Sequence, residues 1–231
     1  GRRLISETDI LDVAFQKFKP IKIEKFVQEI FWRTYWRGWL ELHPIIWNEY
    51  EKKIRDIKPP EKTGIKCFDD WTQELIETGY LHNHARMWYA SIWIFTLNKN
   101  WIDGALFFQK YLLDWCPAVN TLSWRWVAGL QTIGKNYIAR ADNIYKFTNY
   151  KFNPVNELNE TAPPLESHSN LNQQIIDKEF QKISFNHLND IGLIINKNDF
   201  TLDYLLKKDL DFKICLFKSD NSLINQSELI K

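Results

Sequence analysis

The chain has 231 residues, 45% of them hydrophobic and 26% charged, with a formal net charge of +1 at pH 7. These values are typical of a soluble globular protein and exclude the strongly basic composition from which nucleic-acid binding can be argued on charge alone. The length allows one large domain, or one domain with an appendage.

Tryptophan and charge are both distributed unevenly along the chain. All 11 tryptophans lie between Trp32 and Trp126. Residues 1–154 carry a net charge of +5, and residues 155–231 carry a net charge of −4. We therefore predict a Trp-rich domain at 1–154, a linker at 155–172 and a C-terminal extension of unknown function at 173–231.

Cysteine and histidine spacing argues against a metal site. Cys67, Cys116 and Cys215 are widely separated and match no zinc-binding pattern, so we expect reduced thiols in a cytoplasmic protein. His82 and His84 would lie on different faces of a helix, and we expect no metal there. The sequence has no apolar run long enough to span a bilayer, so no membrane partner is expected.

The first predicted elements are helices. Ser6 is typical of a capped helix start, and Pro20 is expected to end this helix. A second helix is predicted from Ile23 to Leu42. His43-Pro44 breaks it, because the residue before proline is pushed out of the helical region. A third helix is predicted over 45–57.

Further helices are predicted up to residue 128, followed by a loop near Gly134, and no alternating strand pattern occurs among them. They cover 67–78, 82–97, 101–114 and a segment that begins at Pro117 and continues through 123–128. The first of these is expected to stop at Gly79 as a left-handed cap.

The composition changes after Pro154. Residues 156–172 contain Pro163, Pro164 and several Asn and Ser, which is typical of an exposed linker. Short β-favouring runs at 192–195 and 212–217 flank a weak helix at 202–206. The predicted fold is therefore all-α, followed by a small mixed α/β C-terminal appendage.

The stretch from Tyr80 to Gly129 interleaves Trp and Tyr with Arg, Asn, His and Asp. A purely apolar helix bundle would avoid those polar residues, because each buried polar group needs a partner. The pattern indicates that a large, flat group with polar edges binds among these side chains.

Several collinear motifs carry a resemblance to a known family. They are Trp32-Arg33, Gly79-Tyr80-Leu81-His82-Asn83, Arg86-Met87, Trp101, Asp114 and Asn120-Thr121-Leu122-Ser123-Trp124-Arg125-Trp126. From about Arg3 to Pro154 the chain resembles the FAD-binding helical domain of the DNA photolyase and cryptochrome family. The residues of these motifs are similar to those of the short, antenna-free branch of this family found in bacteria. The resemblance implies FAD held in a U-shape, in a cavity that admits a flipped nucleotide.

The resemblance also implies roles for individual residues around the cofactor. Asn120 matches the residue that faces the flavin N5, and Arg86 with Asp114 matches an ion pair beside the ring. His82 and Asn83 are further candidates for binding the cofactor. Trp124 and Trp101 match the two inner members of a tryptophan relay, which suits the chemistry because indoles are readily oxidised.

A second set of residues is implied to receive the lesion. It consists of Glu29, Trp32, Asn83, Met87 and Trp126. Aromatic walls and a few base-reading groups are what a flipped base needs. Family members that repair (6-4) lesions carry His at the positions of Asn83 and Met87, so the cyclobutane dimer is the favoured substrate and Glu29 a candidate catalytic residue.

The sequence departs from the family pattern in three places. The Ser/Thr-rich phosphate-binding segment expected upstream of Arg2-Arg3 is not in this sequence, and the domain is expected to lack it. The usual outer relay tryptophan falls in the shortened region 48–62, where no Trp occurs. His84 replaces an Arg that commonly contacts the phosphate of the lesion.

We predict a light-dependent, FAD-containing lyase that splits cyclobutane pyrimidine dimers by electron transfer from reduced flavin. Its expected partner is UV-damaged DNA, and it is expected to be a monomer. Two alternatives stay open at this point. One is a cryptochrome-like blue-light photoreceptor without repair activity, and the other is a degenerate FAD-binding scaffold.

Overall fold

A computed structural model of the protein describes residues 5–166 and, beyond them, the backbone of three strands at 191–196, 212–217 and 229–230. Every regular element within residues 5–166 is a helix, which confirms the all-helical prediction for this part of the chain. The chain divides into two compact units, residues 1–32 with 176–231 and residues 33–175. None of the described helices is both long and apolar enough to cross a bilayer.

The chain opens with a capped helix, as its sequence predicts. Helix α1 spans Glu7–Lys17. The Ser6 hydroxyl accepts a hydrogen bond from the Asp9 backbone N–H at 3.1 Å, and the Asp9 carboxylate accepts one from the Ser6 N–H at 3.1 Å. This reciprocal box satisfies two N–H groups that the first turn leaves without helical partners.

Helix α2 spans Pro20–Leu42, so it begins three residues before its predicted start at Ile23. Pro20 does not follow the first helix as a breaker, because α1 has already ended at Lys17. It opens α2 instead, in the position where a missing N–H costs nothing. The predicted break at His43-Pro44 is confirmed.

Six helices build the second unit after α2. They are α3 Pro44–Glu51, α4 Lys66–Thr78, α5 Asn83–Ser91, α6 Trp101–Tyr111, α7 Pro117–Ala128 and α8 Ala141–Phe147. Gly79 and Gly129 end α4 and α7 with φ of 68° and 82°, which is the left-handed conformation that glycine adopts without strain.

Three of the predicted helices have different ends. The helix predicted over 101–114 ends at Tyr111. The predicted helix over 82–97 is α-helical only to Ser91, and Ile92–Thr96 forms a π-helical turn in which the Leu97 N–H donates to the Ile92 carbonyl at 2.9 Å. The predicted helix over 45–57 ends at Glu51. The residues after it are held by Lys110, whose ammonium donates to Asp56 at 2.6 Å.

The core of the second unit is dominated by aromatic side chains. Its large cluster includes Phe68, Trp71, Trp88, Tyr89, Trp93, Phe107, Phe108 and Trp124. A smaller cluster of Leu40, Ile46, Ala118 and Leu122 packs with Trp36, Trp39 and Trp47. Each large apolar side chain buried in this way contributes about 1.5–3 kcal/mol to folding, so the tryptophan excess serves stability at most of these positions.

Residues 155–166, within the predicted linker, run along the helical unit. The Asn159 side chain donates to the Phe95 carbonyl at 3.2 Å. The Glu160 carboxylate accepts from the Ala141 N–H at 2.8 Å and so caps α8. Each of these hydrogen bonds depends on one polar side chain. The composition of the segment, which is rich in Asn and Pro, therefore does not predict them. The domain limits stay a prediction.

Three strands lie in the C-terminal part. Strand β1 Ile191–Asn196 pairs in parallel with β2 Phe212–Phe217, and β3 Leu229–Ile230 pairs antiparallel to β2. In the first pair Leu193 lies opposite Ile214. The weak helix predicted at 202–206 and the end of the predicted linker at 167–172 lie outside the described residues.

Candidate functional site

The site is built around one face of α7. Asn120 and Trp124 are four residues apart, so their side chains lie on the same face of this helix. Both side chains reach α6. The Asn120 side-chain amide donates to the Ala105 carbonyl at 2.9 Å, and the indole of Trp124 lies over Gly104. Asn120 and Trp124 therefore both contact α6, at the adjacent residues Ala105 and Gly104.

Gly104 makes the position of Trp124 possible. A Cβ added to Gly104 would lie 2.2 Å from Cη2 of the Trp124 indole, closer than any two such atoms can approach. Trp124 itself is 2% exposed and makes edge contacts with Trp93 and Phe108 at centroid distances of 6.2 and 5.1 Å. The indole therefore has one available position, which suits a fixed electron donor.

Asn120 lies in a polar group of side chains inside the core. The Tyr50 hydroxyl forms a hydrogen bond with Asn120 and donates to the Gln109 amide oxygen at 2.8 Å. Burial raises the pKa of the Tyr50 phenol, and the bond with Asn120 offsets only part of that rise. Tyr50 is therefore neutral at physiological pH, and its hydroxyl and the Ala105 carbonyl together fix the orientation of the Asn120 amide.

Arg86 and Asp114 form the ion pair that their motif predicts. The Arg86 guanidinium lies 3.1 Å from the Asp114 carboxylate, donates from Nε to the Leu81 carbonyl at 2.7 Å, and covers the Tyr80 ring at 5.2 Å. Their side chains are 23% and 39% exposed. The pair is therefore oriented without being desolvated, and its charges are accessible to a ligand.

The start of α5 presents a polar surface. His82 caps this helix by accepting from the His84 N–H at 3.3 Å, and His82, Asn83 and His84 are all exposed. Met87 is half-buried and lies one turn after Asn83, on the same face of α5. These two residues, predicted to line the lesion site, are therefore neighbours in space.

The remaining predicted residues lie elsewhere. Trp126 is half-buried on α7 and stacks on Tyr137 at 5.5 Å. Glu29 and Trp32 lie on α2 within the first unit and are exposed, Trp32 by 48%. Their roles stay predictions.

Trp101 begins α6, one turn before Gly104. Asn100 caps the helix by accepting from the Ile102 N–H at 2.8 Å, which fixes the position of Trp101. The Trp101 ring stacks on Tyr50 at 6.4 Å with 23° between planes, and the Arg125 guanidinium lies 5.9 Å from its centroid. Trp101 is the first residue of α6, and Trp124 of α7 packs over Gly104, one turn further along α6.

Sequence reasoning missed three residues that contact the predicted relay and a fourth that contacts one of these three. Trp93 contacts Trp124, Tyr50 and Arg125 contact Trp101, and Trp47 contacts Tyr50. The spacing of Trp47 and Tyr50 on α3 was the available signal, since residues three apart share a helix face. Their link to Trp101 joins distant parts of the chain and has no local signature.

One buried polar atom next to Asn120 suits a flavin. Thr121, next to Asn120, is fully buried, and among the described residues its hydroxyl has no hydrogen-bond partner. A buried hydroxyl without a partner is costly, and the N–H and C=O groups of a flavin ring are of the kind that would satisfy it. The Arg86 and Asp114 side chains also carry charges of the kind that pair with the polar groups of a flavin ring.

A helical unit with these features is a flavin-binding domain, and comparison with known proteins agrees. Residues 26–163 match the family model described as the FAD binding domain of DNA photolyase. The chain therefore belongs to the DNA photolyase and cryptochrome family, and its cofactor is FAD.

Individual relatives support the same assignment. Over 143 residues the chain is 31% identical to the deoxyribodipyrimidine photo-lyase of Streptomyces griseus, covering 52% of this chain and 31% of that protein. It is 34% identical to the one from Agrobacterium fabrum over 119 residues, or 46% and 25% of the two chains. The Escherichia coli protein is 27% identical over 125 residues, or 48% and 26%. The match spans about a third or less of the length of these relatives.

Proposed function

We propose that the protein splits cyclobutane pyrimidine dimers in UV-damaged DNA under blue light. The observation that carries this proposal is the fixed position of Trp124, which is locked over Gly104 and lies one turn from Asn120. A buried indole held in one place beside a polar flavin-compatible face is what light-driven electron transfer requires. When bound, FAD supplies the light absorption and the electron that opens the dimer.

The protein's own residues supply orientation and charge. The Ala105 carbonyl and the Tyr50 hydroxyl hold the Asn120 amide in one orientation, and the resemblance places this amide beside the flavin N5. Arg86 and Asp114 hold one charge of each sign at a partly exposed position, where they orient the polar edge of the ring. Their bonds form before the cofactor binds, so binding does not require these side chains to be ordered anew.

Asn83 and Met87 are the proposed contacts to the lesion on α5. An exposed Asn amide offers both donor and acceptor atoms, which can read the edge of a flipped pyrimidine. Met87 provides an adaptable apolar surface one turn away. Trp126 is proposed as a stacking wall, and the resemblance assigns lesion contacts to the exposed Glu29 and Trp32 on α2.

The test is repair of a thymine-dimer oligonucleotide by the FAD-loaded, reduced protein in blue light and in the dark. We expect restoration only in light, and we expect Met87→Ala to weaken repair while it keeps bound FAD, because Met87 is placed against the lesion and not against the cofactor. Tyr80→Phe is the matched control, because it changes a neighbouring exposed aromatic residue that we do not place against the lesion.

Other results would point to other functions. Bound FAD with no dimer splitting would contradict repair and leave the photoreceptor alternative. A colourless protein, free of FAD after purification, would identify a degenerate scaffold.

A further inference from the structure

Trp126, the proposed stacking wall for the lesion, is held differently from Trp124 on the same helix. Trp124 is 2% exposed and is enclosed by Gly104 and by two buried rings. Trp126 is half-buried, and in the part of the chain that the structure describes the only ring it contacts is that of Tyr137. The two rings stack with centroids 5.5 Å apart and 27° between their planes. The orientation of the Trp126 indole therefore depends on Tyr137.

Tyr137 is fixed in turn by its backbone and by its hydroxyl. Its N–H donates to the Val127 carbonyl at 3.0 Å, near the end of α7. Its hydroxyl forms a hydrogen bond with the Trp88 indole N–H, which also donates to the Asn143 side-chain oxygen at 3.1 Å. Trp88 is 3% exposed and belongs to the large core cluster. The Tyr137 ring therefore lies against α7, while its hydroxyl is bonded to α5.

The residues that follow Tyr137 are bonded to α5 as well. We define the brace as residues 137–139. At its end the Ala139 N–H donates to the Ser91 hydroxyl at 2.8 Å, and both residues are 2% exposed. Ser91 is the last residue of α5, one turn after Met87. A hydrogen bond buried in this way is costly to break, because its donor and acceptor would be left without partners. The brace therefore holds α5 to the end of α7.

The brace joins the two sides of the proposed lesion site. On α7 it holds Trp126 by ring stacking. On α5 it is bonded to Trp88, the residue next to Met87, and Met87 is a proposed lesion contact. A displacement of Tyr137 would therefore move the aromatic wall relative to the apolar contact. Because both sides are held before DNA binds, binding does not bear the entropic cost of ordering a mobile wall.

We infer that Tyr137 is a positioning residue of the lesion site, which holds the Trp126 indole in its stacking position relative to Met87. The inference rests on the proposed function, because it needs Trp126 to contact the dimer. The ring of Tyr137 carries this role. Its hydroxyl contributes less, since the Trp88 N–H keeps Asn143 as an acceptor when that hydroxyl is removed.

The test measures the Kd of the FAD-loaded full chain, in the dark, for a thymine-dimer oligonucleotide and for the same oligonucleotide without the dimer. Tyr137→Leu should raise the Kd for the dimer about tenfold, which is the loss expected when one stacking contact to a base fails. The Kd for undamaged DNA should not change. An equal loss of affinity for both oligonucleotides would assign Tyr137 a general structural role and overturn the inference.

Two further variants control the substitution. Tyr145→Leu makes the same change at a tyrosine that is 38% exposed and contacts Tyr150 instead of Trp126, and it should leave both Kd values unchanged. Tyr137→Phe keeps the ring and should keep the dimer affinity, even where Tyr137→Leu unfolds the chain. Loss of dimer affinity in Tyr137→Phe would overturn the role of the ring. Circular dichroism and FAD content identify loss through unfolding.

A double-mutant cycle determines whether Tyr137 acts through Trp126. In the Trp126→Ala background, Tyr137→Leu should cause no further loss of dimer affinity, because the ring that it positions is already gone. Losses that add up in the double variant would overturn the inference. Unchanged dimer affinity in Trp126→Ala would also overturn it, whereas light-driven splitting by that variant would leave the proposed function intact.

Fluorine NMR of the chain labelled with fluorotryptophan gives a readout without DNA. The resonances of Trp126 and Trp124 are assigned by their loss in Trp126→Phe and Trp124→Phe. Tyr137→Leu should shift or broaden the Trp126 resonance and leave that of Trp124 in place, and an unmoved Trp126 resonance would overturn the inference. A protein that shows this shift and the dimer-specific loss of affinity, but never splits dimers in light, would support the positioning role and contradict repair.

Discussion

Two series of aromatic residues beside α6 contain the same kinds of residue in different surroundings. The inner branch is Trp93, Phe107, Phe68 and Tyr89, and the outer branch is Trp101, Tyr50 and Trp47. Phe68 and Tyr89 stack at 4.2 Å with 12° between planes, inside a fully buried group. Trp101 and Trp47 are both half-buried. The inner branch gains the full free energy of burial, while the outer branch gives up part of it to keep contact with water.

The difference teaches that aromatic content does not by itself identify an electron relay. Two local features separate the two branches: access to water and the position of the nearest cation. In the inner branch Lys99 covers Trp93, the ring that would have to carry the charge. In the outer branch Arg125 lies beside the first ring and not the last. The comparison therefore predicts that stability and photoreduction can be changed independently.

The largest expected effect is on stability, in the inner branch. Phe68→Ala should lower the free energy of unfolding by about 4 kcal/mol, because a fully buried ring is replaced by a cavity. Urea unfolding measures this change. The molecules that remain folded should photoreduce FAD normally, and loss of photoreduction in them would show that the inner branch carries electrons.

Phe147→Ala is the matched control for Phe68→Ala. Phe147 lies in the same unit and is 54% exposed. Its removal should change the free energy of unfolding by less than about 0.5 kcal/mol, as is usual for surface positions.

Gly104→Ala should have the next largest effect, because Gly104 packs directly against the Trp124 ring. The added methyl group would collide with the Trp124 ring, and relieving that overlap should cost about 2 kcal/mol. The displaced indole should also slow flavin photoreduction. Gly38→Ala on α2 is the control, since a Cβ added there would have no atom within 4 Å. It should stabilise the protein by about 0.5–1 kcal/mol.

Much of the fold could be predicted because its signals are local. The Ser6 cap, the break at His43-Pro44 and the glycine end of α4 each depend on residues next to one another. Helix α8 was not predicted, because its N-terminus is completed by Glu160, 19 residues away. The early end of α3 depends on a contact between Asp56 and Lys110, 54 residues apart.

The candidate site also has features that local sequence predicts and features that depend on contacts between distant parts of the chain. Asn120 and Trp124 lie four residues apart, so their shared face follows from helix geometry alone. The sequence could not show that Trp47 reaches Trp101 through Tyr50, because that contact depends on how α3 packs against α6. The family pattern points to 48–62 for the outer tryptophan, and Trp47 immediately precedes that region.

The third prediction concerns the free energy of unfolding at alkaline pH, where buried thiol and phenol groups differ from exposed ones. Burial raises the pKa of the Cys67 thiol from 9.0 to about 12, and it raises the pKa of Tyr89 and Tyr50. Above pH 9 the unfolded chain loses the Cys67 proton while the folded chain keeps it. Stability is therefore complete below pH 9 and falls as pH rises toward 12.

The size of this effect follows from the linkage of protons to folding. One unit above the unfolded pKa, at pH 10, the Cys67 thiol alone should account for a loss of about 1.4 kcal/mol. Urea unfolding between about pH 8 and pH 10.5 measures the slope, and Cys67→Ser is the comparison. A slope that is unchanged by this substitution would assign the loss to the tyrosines.

The smallest expected effect on stability is that of the Arg86 and Asp114 pair, which lies outside both branches. Because the side chains are 23% and 39% exposed, water screens their attraction, and a double-mutant cycle with Arg86→Gln and Asp114→Asn should give a coupling below about 1 kcal/mol. FAD retention should fall in each single variant, because each leaves one charge at the ring edge without its counterpart. A strong coupling in unfolding with unchanged FAD retention would make the pair structural and remove it from the flavin site.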